Sequence, residues 1–380
     1  MERREFIGTA VVAGATAGTA ATTATHLAAE ITGPHATDPP APSPAPQQPI
    51  VIDGLSPSTL NDEYVGLVRQ AGVTGWHKTL SEIHSFADVW RYVDENPDRI
   101  LIATTATDLE RAQAEGKVGL MLGWQTATPL GDKSGQGLFV GDQIPAHTTA
   151  LRAYYHLGLR FVNLTYNTVN AFGAGCVEPH LGITQAGRRL VEEIHGLGII
   201  LDIGGHTGEQ TSLDAIAMSD GVPIVCTHTN VAALCDNPRN TSDRVFEAIA
   251  GSGGVIGLSA INDFVARNRA DRSVRSTPQV GIDVLLDHYD YLKRLVGPDH
   301  VGIGADFTWG RQGGIDPDIV LFGREMASEQ TPINYVRGFE VITELPNLVD
   351  GLRARGWTQE EIDKVCGLNW MRVYRQVWGG

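Results

Sequence analysis

Eight short apolar runs recur along the chain from residue 50 onward, at 50–53, 72–77, 118–123, 160–166, 199–204, 223–228, 254–259 and 300–307. They are continuous rather than alternating, which suits strands buried on both faces. Longer amphipathic segments lie between them, such as 184–197 and 242–250. Thr184 and Ser242 stand as N-caps of these, and Gly198 and Gly251 as stops. Near the C-terminus, Thr358 ahead of Glu360-Glu361 is another helix-capping pattern. Strand and helix alternating eight times predict an α/β fold, a closed parallel (β/α)₈ TIM barrel over residues 50–380. An open doubly wound sheet is the alternative. Against it, no GxGxxG follows the first run, and polar residues end nearly every run, where barrels carry their reacting groups.

The segment before residue 50 reads differently. Arg3-Arg4-Glu5-Phe6-Ile7-Gly8 resembles a bacterial twin-arginine export signal, and a mildly apolar Ala/Gly/Thr/Val stretch follows it to about Ala29. Residues 1–30 are therefore read as an export signal, and the Pro/Ala-rich 31–49 as an extended linker. The expected location is periplasmic or extracellular.

The formal net charge of −15 argues against a nucleic-acid partner, because phosphate backbones select basic surfaces. After the N-terminus no apolar run approaches the roughly 18 residues that a membrane-spanning helix needs. The four cysteines, Cys176, Cys226, Cys235 and Cys366, form no CxxC pair and no zinc-finger spacing. In an exported chain some of them could pair as disulfides. The sequence leaves a homodimer open.

The chemistry-bearing residues gather at the ends of the runs. The fifth ends in Leu201-Asp202-Ile203-Gly204-Gly205-His206, the sixth in Cys226-Thr227-His228 and the eighth in Gly304-Ala305-Asp306. Two histidines and a carboxylate at one barrel mouth are what zinc binds, with a fourth position left for water. Gln125, after the third run, is neutral and a weak ligand, while Leu55 and Pro57, after the first, offer no donor atom. His77 and Lys78 end the second run and could reach the mouth. Asp202 is expected to orient a neighbour or pack in the barrel. His84, His147, His156, His180 and His195 read as solvated.

Several motifs, in this order and spacing, resemble the membrane (renal) dipeptidase family over roughly residues 50–378. They are Leu164-Thr165-Tyr166-Asn167…Asn170, Gly182-Ile183-Thr184…Gly187, His206-Thr207-Gly208-Glu209, Thr227-His228-Thr229-Asn230, Pro238-Arg239-Asn240…Asp243, Val301-Gly302-Ile303-Gly304-Ala305-Asp306-Phe307 and Gly367-Leu368-Asn369-Trp370. The resemblance implies a (β/α)₈ barrel that hydrolyses dipeptides with two zinc ions. It makes His206 and His228 ligands of the second zinc, places Asp306 near the first zinc and the substrate amine, and gives Arg239 the substrate carboxylate. One extra glycine precedes His206 relative to the family's usual Asp-x-Ser-His.

Three departures alter that picture. Leu55 and Pro57 stand where the family's Asp-Gly-His-x-Asp supplies two ligands, Gln125 stands at the bridging glutamate, and Tyr166 replaces a histidine. The expectation is a metal-assisted hydrolase of a dipeptide or small amide with a free carboxylate. One zinc is held by His206, His228 and Asp306, and Asp306 or Gln125 assists catalysis. Tyr166 steadies the oxyanion, while Arg239, Tyr166 and Asn170 bind substrate. The alternative is a barrel without hydrolysis, either a lyase or isomerase using Asp306 and Tyr166, or a small-carboxylate binder.

Overall fold

The computed structural model describes residues 49–131, 148–266, 278–310 and 333–379. The Arg3-Arg4 pair, the apolar stretch after it, the linker up to residue 48 and His147 lie outside the described residues.

Among the described residues nine strands form: β1 (Ile52–Asp53), β2 (Gly75–Thr79), β3 (Ile100–Ile102), β4 (Val118–Trp124), β5 (Leu159–Asn163), β6 (Ile200–Asp202), β7 (Cys226–Thr229), β8 (Ile256–Leu258) and β9 (Val301–Ile303). All pair in parallel, in the order β1-β2-β4-β5-β6 and, separately, β7-β8-β9. Two seams close the ring. At one, Ile203 N–H donates to Val225 O at 2.9 Å and Val225 N–H to Leu201 O at 3.1 Å, joining β6 to β7. At the other, Gly54 N–H donates to Ile303 O at 2.8 Å and Asp306 N–H to Leu55 O at 2.9 Å, joining β9 to β1. The result is the expected TIM barrel, and its eight staves are the eight apolar runs.

The ninth strand, β3, was not expected. Its pairs Ile100↔Val118 and Ile102↔Leu120 lie along the first half of β4, while β5 takes the second half from Leu122↔Leu159 onward. Three apolar residues therefore prop the start of a stave without becoming one.

Local signals explain where the helices start and stop. Thr184 accepts Gly187 N–H at the head of the helix Gln185–Leu197, and Gly198 ends it with a left-handed φ of 69°. Thr358 and Glu361 form a reciprocal capping box. Ser242 occupies the N-cap position of Asp243–Gly251, but its side chain makes no capping hydrogen bond.

The barrel interior is filled by side chains rather than open. Ile52, Met121, Phe161, Ile200, Val225 and Val255 pack with Trp370, Tyr374 and Trp378 of the C-terminal helix. Phe161 meets Tyr374 and Trp378 edge-on, at 5.7 and 5.3 Å between ring centroids. This plug makes a solid floor, so chemistry is confined to the loops that follow the strand C-termini. The four cysteines are buried thiols. Among the described residues no helix is long and apolar enough to cross a membrane.

Candidate active site at the strand ends

His206 follows β6 and His228 lies within β7, with ring centroids 5.0 Å apart. Each is buried, and each has its Nδ1 engaged. His206 Nδ1 lies 2.6 Å from Asn167 Oδ1, an atom that can only accept, so Nδ1 carries the proton. His228 Nδ1 lies 2.9 Å from Thr227 Oγ1, whose own proton goes to Asp202 Oδ2 at 2.6 Å. The hydroxyl must then accept from Nδ1–H. Both imidazoles are thereby fixed in the tautomer that leaves a lone pair on Nε2.

Burial lowers the pKa of both histidines well below the ordinary value, and the nearby Arg239 charge lowers it further. They are neutral, as ligands or hydrogen-bond acceptors must be. Asp202 supports His228 through Thr227. Burial pushes its carboxyl up to about 6, against donors from Thr227 and Gly204 that pull the other way. The expectation that Asp202 orients a neighbour is met.

The Nε2 atoms meet two N–H groups of the chain. Gln125 Nε2 lies 3.2 Å from His228 Nε2, and Arg239 Nη2 lies 3.2 Å from His206 Nε2. Arg239 is 2% exposed and runs over the Phe264 ring at 5.0 Å. Tyr166 lies flat on His206, with centroids 3.9 Å apart, and is 46% exposed. The structure thus gathers His206, His228, Gln125, Arg239 and Tyr166.

Two expected site residues are placed otherwise. Asn170 donates to Leu164 O at 2.8 Å and accepts from Phe172 N–H at 2.8 Å and Gly173 N–H at 3.3 Å. Its amide braces the loop after β5, with both lone pairs and one of its two N–H groups engaged. Asp306 sits on the β9–β1 seam with a left-handed φ of 60°, close enough to Asp53 for the two carboxylates to repel. It does not join the histidines in a three-donor group. Among the described residues no group of three or more His, Cys, Asp or Glu could hold a metal ion.

One supporting residue was missed from sequence. Asn167 has a φ of 62°, a conformation that asparagine tolerates better than most residues. That turn is what points its side chain at His206.

The β1 side is a contrast. Leu55 is buried, and Ser56 and Ser58 donate to Phe307 O at 2.9 and 2.7 Å. Lys78 Nζ donates to Pro57 O at 3.0 Å and Ser58 O at 2.6 Å. His77 stacks on Phe161 inside the barrel, 4.1 Å between centroids. Burial lowers its pKa to about 3, against the hydrogen bond to Gly54 O. The loop after β1 is therefore held by its own serines and a lysine ammonium. A two-ion centre does not fit these residues, because Leu55 and Pro57 leave only the mutually repelling Asp53 and Asp306 carboxylates on one side and the bridging position is a neutral amide. The histidine pair offers two Nε2 lone pairs, faced by the Gln125 amide nitrogen and the Arg239 guanidinium, a donor set for one ion at most.

The model of the membrane dipeptidase family (peptidase family M19) matches residues 70–316. A Klebsiella pneumoniae protein, described as uncharacterised and encoded in the pqqA 5′ region, is 31% identical over 288 residues, which is 74% of this chain and 90% of the relative. The dipeptidase ataJ of Aspergillus terreus is 29% identical over 76% of this chain and 65% of its own length. Among solved structures, an amidohydrolase from Pseudomonas aeruginosa superposes with a TM-score of 0.73 at 29% identity, over 87% of this chain and 97% of that one. A Rhodobacter sphaeroides metallopeptidase, solved with a phosphinate mimic of L-Ala-D-Ala, shares the fold at a TM-score of 0.67 and 22% identity, over 87% of this chain and all of that one.

Proposed function

The chain belongs to the membrane dipeptidase family, and from that premise we propose that it hydrolyses the amide bond of a dipeptide, or of a small amide ending in a free carboxylate. The observation that carries the reading is the histidine pair, buried, neutral and locked in one tautomer, with Arg239 beside it.

Arg239 takes the substrate carboxylate. A guanidinium offers two parallel N–H donors to the two carboxylate oxygens, a fit that also fixes the orientation of the peptide. Tyr166 walls the entrance over His206 and donates its phenol to the oxygen that gains charge as water adds to the carbonyl. From the β9–β1 seam, across the mouth from the histidines, Asp306 would accept the proton of the attacking water and return it to the departing amine. A single zinc ion is the finer part of the proposal. His206 and His228 would hold it, and when bound it supplies a Lewis acid that lowers the pKa of water.

A panel of dipeptides, each tested beside its C-terminally amidated form, decides the matter. Turnover of free-carboxylate substrates and its loss on amidation are expected. No turnover of any dipeptide would overturn the reading.

Export through the twin-arginine route is part of the same proposal, supported by the Arg3-Arg4 motif and the linker after it. Replacing both arginines with lysine is expected to keep the precursor in the cytoplasm. Normal export of that variant would refute it.

A further inference from the structure

An extra glycine stands ahead of His206, and its neighbours give it a purpose. Gly205 has a φ of 32°. A Cβ there would overlap Arg239 Nη1 and come within 2.6 Å of the Arg239 carbonyl oxygen. Only a residue without a side chain lets the guanidinium lie in this turn. From that cradle Arg239 Nη2 donates to His206 Nε2 at 3.2 Å. Its backbone N–H is tied to Asn237 Oδ1 at 2.9 Å, and Phe264 backs the guanidinium. Nη1 is buried with no hydrogen-bond partner in the structure.

His206 has one lone pair available, because Nδ1–H is already given to Asn167. A cationic donor therefore sits on the same nitrogen that a metal ion needs. We propose that Arg239 is a resident cation that competes with a divalent ion for His206 Nε2, and that a carboxylate engaging the guanidinium releases this nitrogen. The inference rests on the proposed role of His206 as a ligand of one ion. Nη1 is a donor that the chain leaves unsatisfied, and it pairs with a carboxylate once the guanidinium shifts in the Gly205 cradle. As it does so, the second N–H of the fork turns from imidazole to carboxylate, which is the stronger, charge-assisted partner. Carboxylate and ion then each tighten the binding of the other, as linkage requires. Gln125 occupies the corresponding place at His228 but is neutral, and its amide can turn its oxygen to an ion. The competition is thus concentrated at His206.

Titration calorimetry with Zn²⁺ alone tests this on the purified, metal-stripped protein, with the wild type beside Arg239→Met and each with and without acetate. Thermal melts report that the variant is folded. Arg239→Met is expected to bind Zn²⁺ about tenfold tighter or more, the worth of a hydrogen bond from a charged donor. Acetate is expected to tighten Zn²⁺ binding to the wild type and to leave the variant unchanged. If wild type and variant each bind one Zn²⁺ with equal affinity, the ligand role of His206 stands and the competition is overturned. If neither binds Zn²⁺, the metal reading and the competition fall together. Should Arg239→Met not fold, Arg239→Gln removes the charge while keeping a polar head and carries the same expectations.

Discussion

The two sides of the barrel mouth are built in opposite ways. On the β6–β7 side two histidines stand with the residues that orient them: Asn167 beside one, Thr227 and Asp202 behind the other. On the β1 side the donor positions hold Leu55 and Pro57, and the loop is satisfied internally by Ser56, Ser58 and Lys78. A polar relay with nothing to serve would be a costly thing to bury, since Asp202 lies wholly out of solvent. Its presence argues that the β6–β7 side does chemistry. The β1 side no longer needs an ion to hold its shape.

Substitutions on the two sides should therefore fail in different ways. His228→Ala is expected to cut dipeptide turnover by about 10³-fold or more, the order seen when one member of a catalytic set is removed. Its melting temperature should move far less than that of Leu55→Ala. The latter opens a cavity in packed surroundings and should cost about 2–5 kcal/mol of stability while the remaining folded protein keeps its kcat. Kinetics and thermal melts on both variants check the pair. Equal kinetic damage from the two would erase the distinction.

A smaller effect sharpens it. Thr227→Val removes only the hydroxyl between Asp202 and His228 and keeps the shape. Turnover should fall by about 10–100-fold, as for other residues that orient a ligand or acceptor imidazole. A value unchanged from wild type would mean that the relay is merely packing.

The smallest effect lies at the β9–β1 seam. Asp53 accepts from Ala305 N–H at 3.0 Å and Leu55 N–H at 3.4 Å. Burial lifts its carboxyl from 3.8 to about 7; the two backbone donors oppose this, and the Asp306 charge adds to it. A folded-state pKa above the unfolded one gives a contribution that is complete below about pH 4 and lost as pH rises through about 7. Asp53→Asn keeps an accepting oxygen without the charge. Relative to wild type, its melting temperature should rise between pH 5 and pH 8, and a constant difference would contradict this.

Much of this architecture was legible in the residues. Continuous apolar runs marked every stave, because strands buried on both faces leave no room for alternation. β3 escaped because Ile100-Leu101-Ile102 is short and runs straight into the capping box of Thr105 and Asp108. At the site, His206, His228, Gln125 and Arg239 could be placed from strand ends and motif order. What the sequence could not carry was direction. Asn170 and Asn167 stand in the same motif, yet a left-handed backbone aims Asn167 at His206 while Asn170 closes the loop. Asp306 likewise stands at a strand end, but its turn keeps it on the β1 seam, away from a three-donor group with the histidines. Lys78 gave a hint as a cation at a strand end, but its hold on the carbonyls of Pro57 and Ser58 exists only once β1 and β2 pair.

The central claim is that only one side of this mouth can still hold a metal ion. Elemental analysis of the full-length protein, purified without chelator, tests it most directly. No more than one divalent ion per chain is expected, lost in His206→Ala or His228→Ala, with no second ion gained by Gln125→Glu alone. Two tightly bound ions per chain would contradict the account, because Leu55 and Pro57 provide nothing to bind the second.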